Sequence, residues 1–111
     1  MDSFTEYQDA ARRTQRRDLD DYSTLCHAVF GLTSEAGEVS GILQKIYQGH
    51  AIDKKHLIRE LGDCLWMISE ACDVLGVSMG EVAEANILKL KARYPEGFDA
   101  EHSLCRKEGD I

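Results

Sequence analysis

Proline is almost missing from this 111-residue chain: Pro95 stands alone, so nothing before it breaks a helix through ring geometry. No apolar run approaches the roughly 20 residues that a membrane-spanning helix needs, and no membrane partner is expected. The four cysteines, Cys26, Cys64, Cys72 and Cys105, never form a Cys-x-x-Cys. Cys64 and Cys72, if on one helix, lie about 12 Å apart along its axis, beyond disulfide reach. Reduced thiols, and with them a cytoplasmic location, are the expectation. Met1-Asp2-Ser3-Phe4-Thr5-Glu6 lacks the basic and apolar regions of a signal peptide. Positive charge is also in deficit. A net charge of −7 argues against nucleic acid as a partner. Strand-like alternation is absent over any useful length, which leaves an all-α fold in a single domain over residues 1–111.

Four helices are expected. The first starts after a Ser3-x-x-Glu6 capping box and should run from Phe4 to about Arg17. The second should run from Tyr22 to about Gln48. Asp53 caps the third, which carries Leu57, Leu61, Cys64, Leu65, Ile68, Cys72 and Leu75 at helical spacing and stops at Gly76. The fourth starts at a second box, Ser78-x-x-Glu81, and ends near Arg93, with Val82, Ala85 and Leu88 or Lys89 turned inward. Gly31, Gly37 and Gly41 all fall in the second helix, which is expected to use them for close approach or to break near Gly31. Val29, Leu32, Val39, Ile42, Leu43 and Ile46 spread over more than one of its faces, a pattern that calls for a covering partner and predicts a homo-oligomer. The arginines Arg12, Arg13, Arg16 and Arg17 fit cations at a helix C-terminus.

Against this background two acidic pairs stand out. Glu35/Glu38 and Glu60/Asp63 each have i,i+3 spacing, which puts both carboxylates on one helical face. Their neighbours are apolar or small: Phe30-Gly31-Leu32 and Ala36-Gly37 around the first pair, Leu57-Ile58, Leu61-Gly62 and Cys64-Leu65-Trp66 around the second. Two carboxylates about 6 Å apart repel by roughly 3 kcal/mol at an effective dielectric of 20. Four of them on packed helices call for a divalent cation. Hard oxygen donors suit Mg²⁺, with Mn²⁺ as a substitute. Zinc would require His or Cys in ligand register, and di-iron bundles use Glu-x-x-His, which neither pair matches. Gly37 and Gly62, each lying within a pair, are expected to leave room for the two helices to converge.

Three blocks together resemble the MazG-like nucleotide pyrophosphohydrolases. They are Gly31-Leu32-x-x-Glu35-Ala36-Gly37-Glu38-Val39, then Glu60-Leu61-Gly62-Asp63-x-Leu65-Trp66, then Asn86-x-x-Lys89-Leu90-x-x-Arg93-Tyr94-Pro95-x-Gly97-Phe98. The resemblance runs from Tyr7-Gln8 to Ser103. It implies an oligomeric four-helix bundle of the all-α NTP pyrophosphatase type, Mg²⁺ dependence, and hydrolysis of nucleoside triphosphates to monophosphate and pyrophosphate. Glu35, Glu38, Glu60 and Asp63 correspond to the family's metal ligands. Asn86, Lys89, Arg93 and Tyr94 correspond to its third block, near the phosphates and sugar. Some branches carry a further Glu directly before the first pair; Ser34 stands there in this chain, so activation of water falls to Glu35 or Glu38. His27, two turns before Glu35, is a candidate for contact with the base.

Two other readings compete. One is a non-catalytic helical oligomerisation or regulatory module that retains the fold, against which all four acids speak. The other is a phosphohydrolase acting on different pyrophosphate linkages.

Overall fold

The computed structural model describes residues 3–111; Met1 and Asp2, which begin the leader-peptide reading, lie outside the described residues. The chain is helical, with α1 (Phe4–Arg12), α2 (Asp21–Tyr47), α3 (Lys54–Leu75), α4 (Met79–Arg93) and α5 (Ala100–Leu104). Among the described residues there is no strand, only an isolated bridge between Pro95 and Gly97. No helix is long and apolar enough to cross a membrane among those residues. The chain divides into two compact units, one ending at Met79 and the other spanning Gly80–Ile111.

Local chemistry sets the helix ends of the first unit. Ser3 accepts from the Glu6 backbone N–H at 3.1 Å, Asp20 from Ser23 at 2.7 Å and Asp53 from His56 at 3.1 Å. Each satisfies a first-turn donor that the helix itself leaves bare. Gly76 ends α3 with φ +70, the left-handed turn that a residue without a side chain adopts most cheaply. α1 stops at Arg12 rather than continuing to Arg17. Thr14 Oγ1 donates to the Ala11 carbonyl at 2.8 Å and Arg17 Nη2 to the Arg12 carbonyl at 3.1 Å, taking up acceptors that a longer helix would use. Arg16 instead forms a double contact with Asp18. α5 was not among the expected helices. Asp99 caps it through the Glu101 and His102 backbone N–H groups.

α2 and α3 lie antiparallel along one seam. His27 meets Glu70, Gly31 meets Met67, and Glu35 meets Glu60 and Asp63. α2 is unbroken at Gly31, and the glycine is where Met67 of α3 enters: a Cβ there would stand 2.5 Å from Met67 Sδ. The role expected of Gly37 and Gly62 is not met. An added Cβ at either encounters nothing within 4 Å, so in the single chain the acidic helices converge without them.

α1 packs on α3, where Arg12 Nε reaches Asp73 at 2.8 Å. The buried Gln8 ties down the chain beyond Gly76, donating to the Val77 carbonyl at 3.2 Å and accepting from the Met79 N–H at 2.9 Å. Among the described residues the buried apolar set is small: Ala11, Ala28, Ile42, Cys72 and Met79. Phe30, Leu43, Tyr47, Ile58 and Leu61 are exposed. So are Val82, Ala85, Leu88 and Lys89, where an inward face was expected; the second unit, one long helix and the five-residue α5, is too small to enclose them. All four cysteines are free.

Candidate metal centre

The two acidic pairs converge, and three of their four members form a compact group. One carboxylate oxygen from each of Glu35, Glu60 and Asp63 lies within 4.8 Å of the others. α2 supplies the first and α3 the other two, one turn apart. Glu35 and Glu60 are half-buried while Asp63 is exposed, which gives a site open on one side. Glu38 is exposed and stands outside this group, although its charge reaches Glu35.

The electrostatics fit a cation. The Glu35 carboxyl is pushed above its ordinary range, first by burial, then by the Asp63 charge and by hydrogen bonding to Glu60. Burial comes first among these causes; the part contributed by the Asp63, Glu60 and Glu38 charges is the part that marks uncompensated negative charge. Among the described residues no lysine or arginine forms an ion pair with the three acids; His56 reaches Glu60 at 3.3 Å from one turn away. An all-oxygen donor set with half-buried members and an open side is the chemistry that Mg²⁺ or Mn²⁺ takes, whereas zinc favours nitrogen and sulfur. The residues present therefore fit a hard divalent ion.

Tyr7 of α1 is a neighbour that sequence reading missed. Burial raises its phenol above the ordinary value, and the Asp63 charge adds to the effect. Glu70 was missed as well. It is 2% exposed, and its Oε1 lies 2.5 Å from Nδ1 of the half-exposed His27. His27 also meets Trp66 edge to face at 6.3 Å, and Trp66 Nε1 donates to Thr14 Oγ1 at 2.8 Å. A glutamate two turns beyond Asp63 on the same face was legible as spacing, but only the packed structure places it against a histidine.

The third block lies in the second unit. Asn86 and Lys89 are exposed there. Arg93 is engaged within the chain: Nε and Nη2 each contact an Asp110 carboxylate oxygen at 2.8 Å. Hydrogen bonding to Asp110 raises the guanidinium pKa further and holds the Asp110 carboxyl below its usual range. Lys89 and Arg93 line a cavity of about 360 Å³ together with Lys107 and His102. Tyr94 packs on Phe98 with ring centroids 5.4 Å apart.

Fold and donor set together define an all-helical protein whose two antiparallel helices bring three carboxylates, two half-buried and one exposed, to one place. The particular family follows from comparison. The family model described as the MazG nucleotide pyrophosphohydrolase domain matches residues 24–98, about two thirds of the chain. The chain belongs to that family. It is also similar to the Gene 37 protein of Mycobacterium phage L5, 29% identical over 85 residues that cover 72% of this chain and 75% of that protein. No solved structure matches the chain significantly.

Proposed function

We propose that this chain is a Mg²⁺-dependent nucleoside triphosphate pyrophosphohydrolase, with Mn²⁺ as a substitute ion, converting NTP or dNTP and water to NMP or dNMP and pyrophosphate. The convergence of Glu35, Glu60 and Asp63 carries this reading. An ion held there would draw negative charge from the phosphate oxygens as the anhydride bond breaks. Water oxygen attacks phosphorus at the α-position, the bond to the bridging oxygen breaks, and pyrophosphate departs with the bonding electrons. Glu38, one turn from Glu35 and outside the tricarboxylate, is free to take the proton of the attacking water. Glu35 is the second candidate for that task. Asn86, Lys89, Arg93 and Tyr94 are assigned to the phosphates and sugar by the match of the third block, and His27 to the base.

We further take the 111 residues to act as one domain, assembled as a cytoplasmic dimer or tetramer in a four-helix-bundle arrangement. Exposed Phe30, Leu43, Ile58 and Leu61 on α2 and α3 support assembly, because apolar helix faces of this extent favour cover. Nucleotide-pool clean-up is the role that fits such an activity.

The test is pyrophosphate release from a panel of ribo- and deoxynucleoside triphosphates with Mg²⁺. Glu38→Gln and Asp63→Asn should each lower turnover by at least about 10²-fold, the scale of general-base and charge-stabilising groups. Full activity in both folded variants would reject the assignment. Tight assembly with no turnover on any triphosphate would favour the non-catalytic module.

A further inference from the structure

Beyond the acidic centre, one constellation in the first unit serves no role in metal binding: His27, Glu70, Trp66 and Thr14. Glu70 is almost completely buried, a costly place for a carboxylate unless a partner holds it. Its partner is a histidine whose side chain is 45% exposed, so one end of the pair is fixed inside the protein and the other faces out. The two imidazole nitrogens thereby become unequal. Nδ1 is committed to Glu70, and Nε2 is the nitrogen left for an outside partner. A carboxylate accepts, so Nδ1 carries the hydrogen; in the neutral ring Nε2 then presents a lone pair.

Position gives this lone pair a use. His27 lies eight positions before Glu35 on α2, roughly 12 Å along the axis. Trp66 lies one turn from Asp63 on α3, between the acids and Glu70 in sequence. The three contacts of the α2–α3 seam thus run from the carboxylates through Gly31–Met67 to His27–Glu70. An extended nucleotide has its phosphates at one end and its base at the other. With the phosphates at the acidic end and the nucleoside laid along the seam, the base would fall toward His27. Trp66 is held by Thr14 and edge to face with His27, so the aromatic surface there is fixed before any ligand arrives.

We infer that Glu70 is a positioning residue that fixes His27 with Nε2 as an acceptor, so that the site favours bases bearing an exocyclic amino group over their carbonyl counterparts. The inference rests on the nucleotide-hydrolase reading for its ligand. Its sharpest form compares bases that exchange the exocyclic amino group for a carbonyl and gain a hydrogen on the neighbouring ring nitrogen: cytosine with uracil, adenine with hypoxanthine. A buried carboxylate that merely supported the fold would not distinguish them.

The experiment measures kcat/KM for CTP, UTP, ATP and ITP with Mg²⁺ in the wild type and in Glu70→Met, together with the His27 tautomer from ring ¹⁵N shifts. The wild type should favour the amino base of each pair by about tenfold, a modest share of what a hydrogen-bonding site can achieve. In Glu70→Met nothing accepts from Nδ1, the ring hydrogen is free to sit on Nε2, and the preference should fall to unity or reverse. Should that variant not fold, the wild-type ring shifts decide the role of Glu70, a hydrogen on Nε2 overturning it, and His27→Ala should abolish the preference. Turnover without amino/carbonyl discrimination, or discrimination untouched in a folded Glu70→Met, overturns the inference and leaves the hydrolase reading standing. No turnover on any triphosphate rejects the hydrolase reading. Preferential binding of CMP over UMP, followed by NMR, then decides the inference on its own: equal binding overturns it.

Discussion

Met67 lies across Gly31 so closely that a Cβ on the glycine would stand 2.5 Å from the thioether sulfur and 2.7 Å from its terminal methyl. The colliding atoms belong to the end of a flexible side chain, which can yield to one methyl but not to a large group. Gly31→Ala should therefore fall within about 1 kcal/mol of neutral, since alanine gains about that much in helix propensity. Gly31→Leu should cost about 1–3 kcal/mol through overpacking. Urea denaturation of the two variants checks the contrast.

Gly37 gives the opposite case. Nothing stands within 4 Å of a Cβ built there, so Gly37→Ala should stabilise the single chain by about 0.5–1 kcal/mol. Sedimentation of the same variant tests whether that face is used between copies. Weakened assembly alongside a more stable chain would place a helix contact at Gly37.

Glu35 links stability to pH and to metal. Its folded-state carboxyl lies above the ordinary value of 4.5, chiefly through burial, so the folded chain keeps that proton longer than the unfolded one. The contribution is present below 4.5 and is lost as pH rises through the folded value. Metal-free protein should lose this increment between acidic and neutral pH, and Glu35→Gln should retain it. Mg²⁺ should raise the melting temperature more at pH 7.5 than at pH 4.5, with little shift in Glu35→Gln. Equal Mg²⁺ shifts in both proteins would detach ion binding from this carboxylate.

Gln8 holds two backbone groups that have little access to water, the Val77 carbonyl and the Met79 N–H. Gln8→Ala should destabilise the first unit by about 2–3 kcal/mol, because both groups lose a buried partner. Hydrogen exchange at Met79 should accelerate in the variant. An unchanged exchange rate would mean that the contact is not maintained in solution.

Asp110 responds to acid in the other sense from Glu35. Its carboxyl is held below 3.8 by the Arg93 hydrogen bonds, so its stabilising contribution is present above that value and fades as pH falls through the lower folded one. Asp110→Asn should loosen the segment after α5 at neutral pH, seen as faster proteolysis beyond Cys105. Identical cleavage rates would show that the contact does not secure this segment.

Much of this was legible in the residues. Ser3, Asp53 and Gly76 announced their helix ends because capping is local chemistry. The i,i+3 acids announced a shared face for the same reason, and their apolar setting pointed to the seam between α2 and α3. Partner choice across the seam was not legible. Gly31, rather than Gly37 or Gly62, turned out to accept a neighbouring side chain, since which glycine faces the partner depends on helix rotation and register. Glu70 carries no local signal in the sequence, since its burial against His27 is decided by packing. The early end of α1 depended on Thr14 and Arg17 competing for backbone carbonyls, a contest that propensity does not resolve.

The antiparallel pairing of α2 with α3 makes residue count within those helices a stricter constraint than residue identity. One residue inserted between Gly31 and Glu35 would swing everything on one side of it by about 100° around the axis, parting Glu35 from Glu60 and Asp63 with every carboxylate still present. The connection from Gln48 to Asp53 lies beyond both contacts. Extra residues there would lengthen a loop without turning either helix, so change in chain length is best accommodated at that bend.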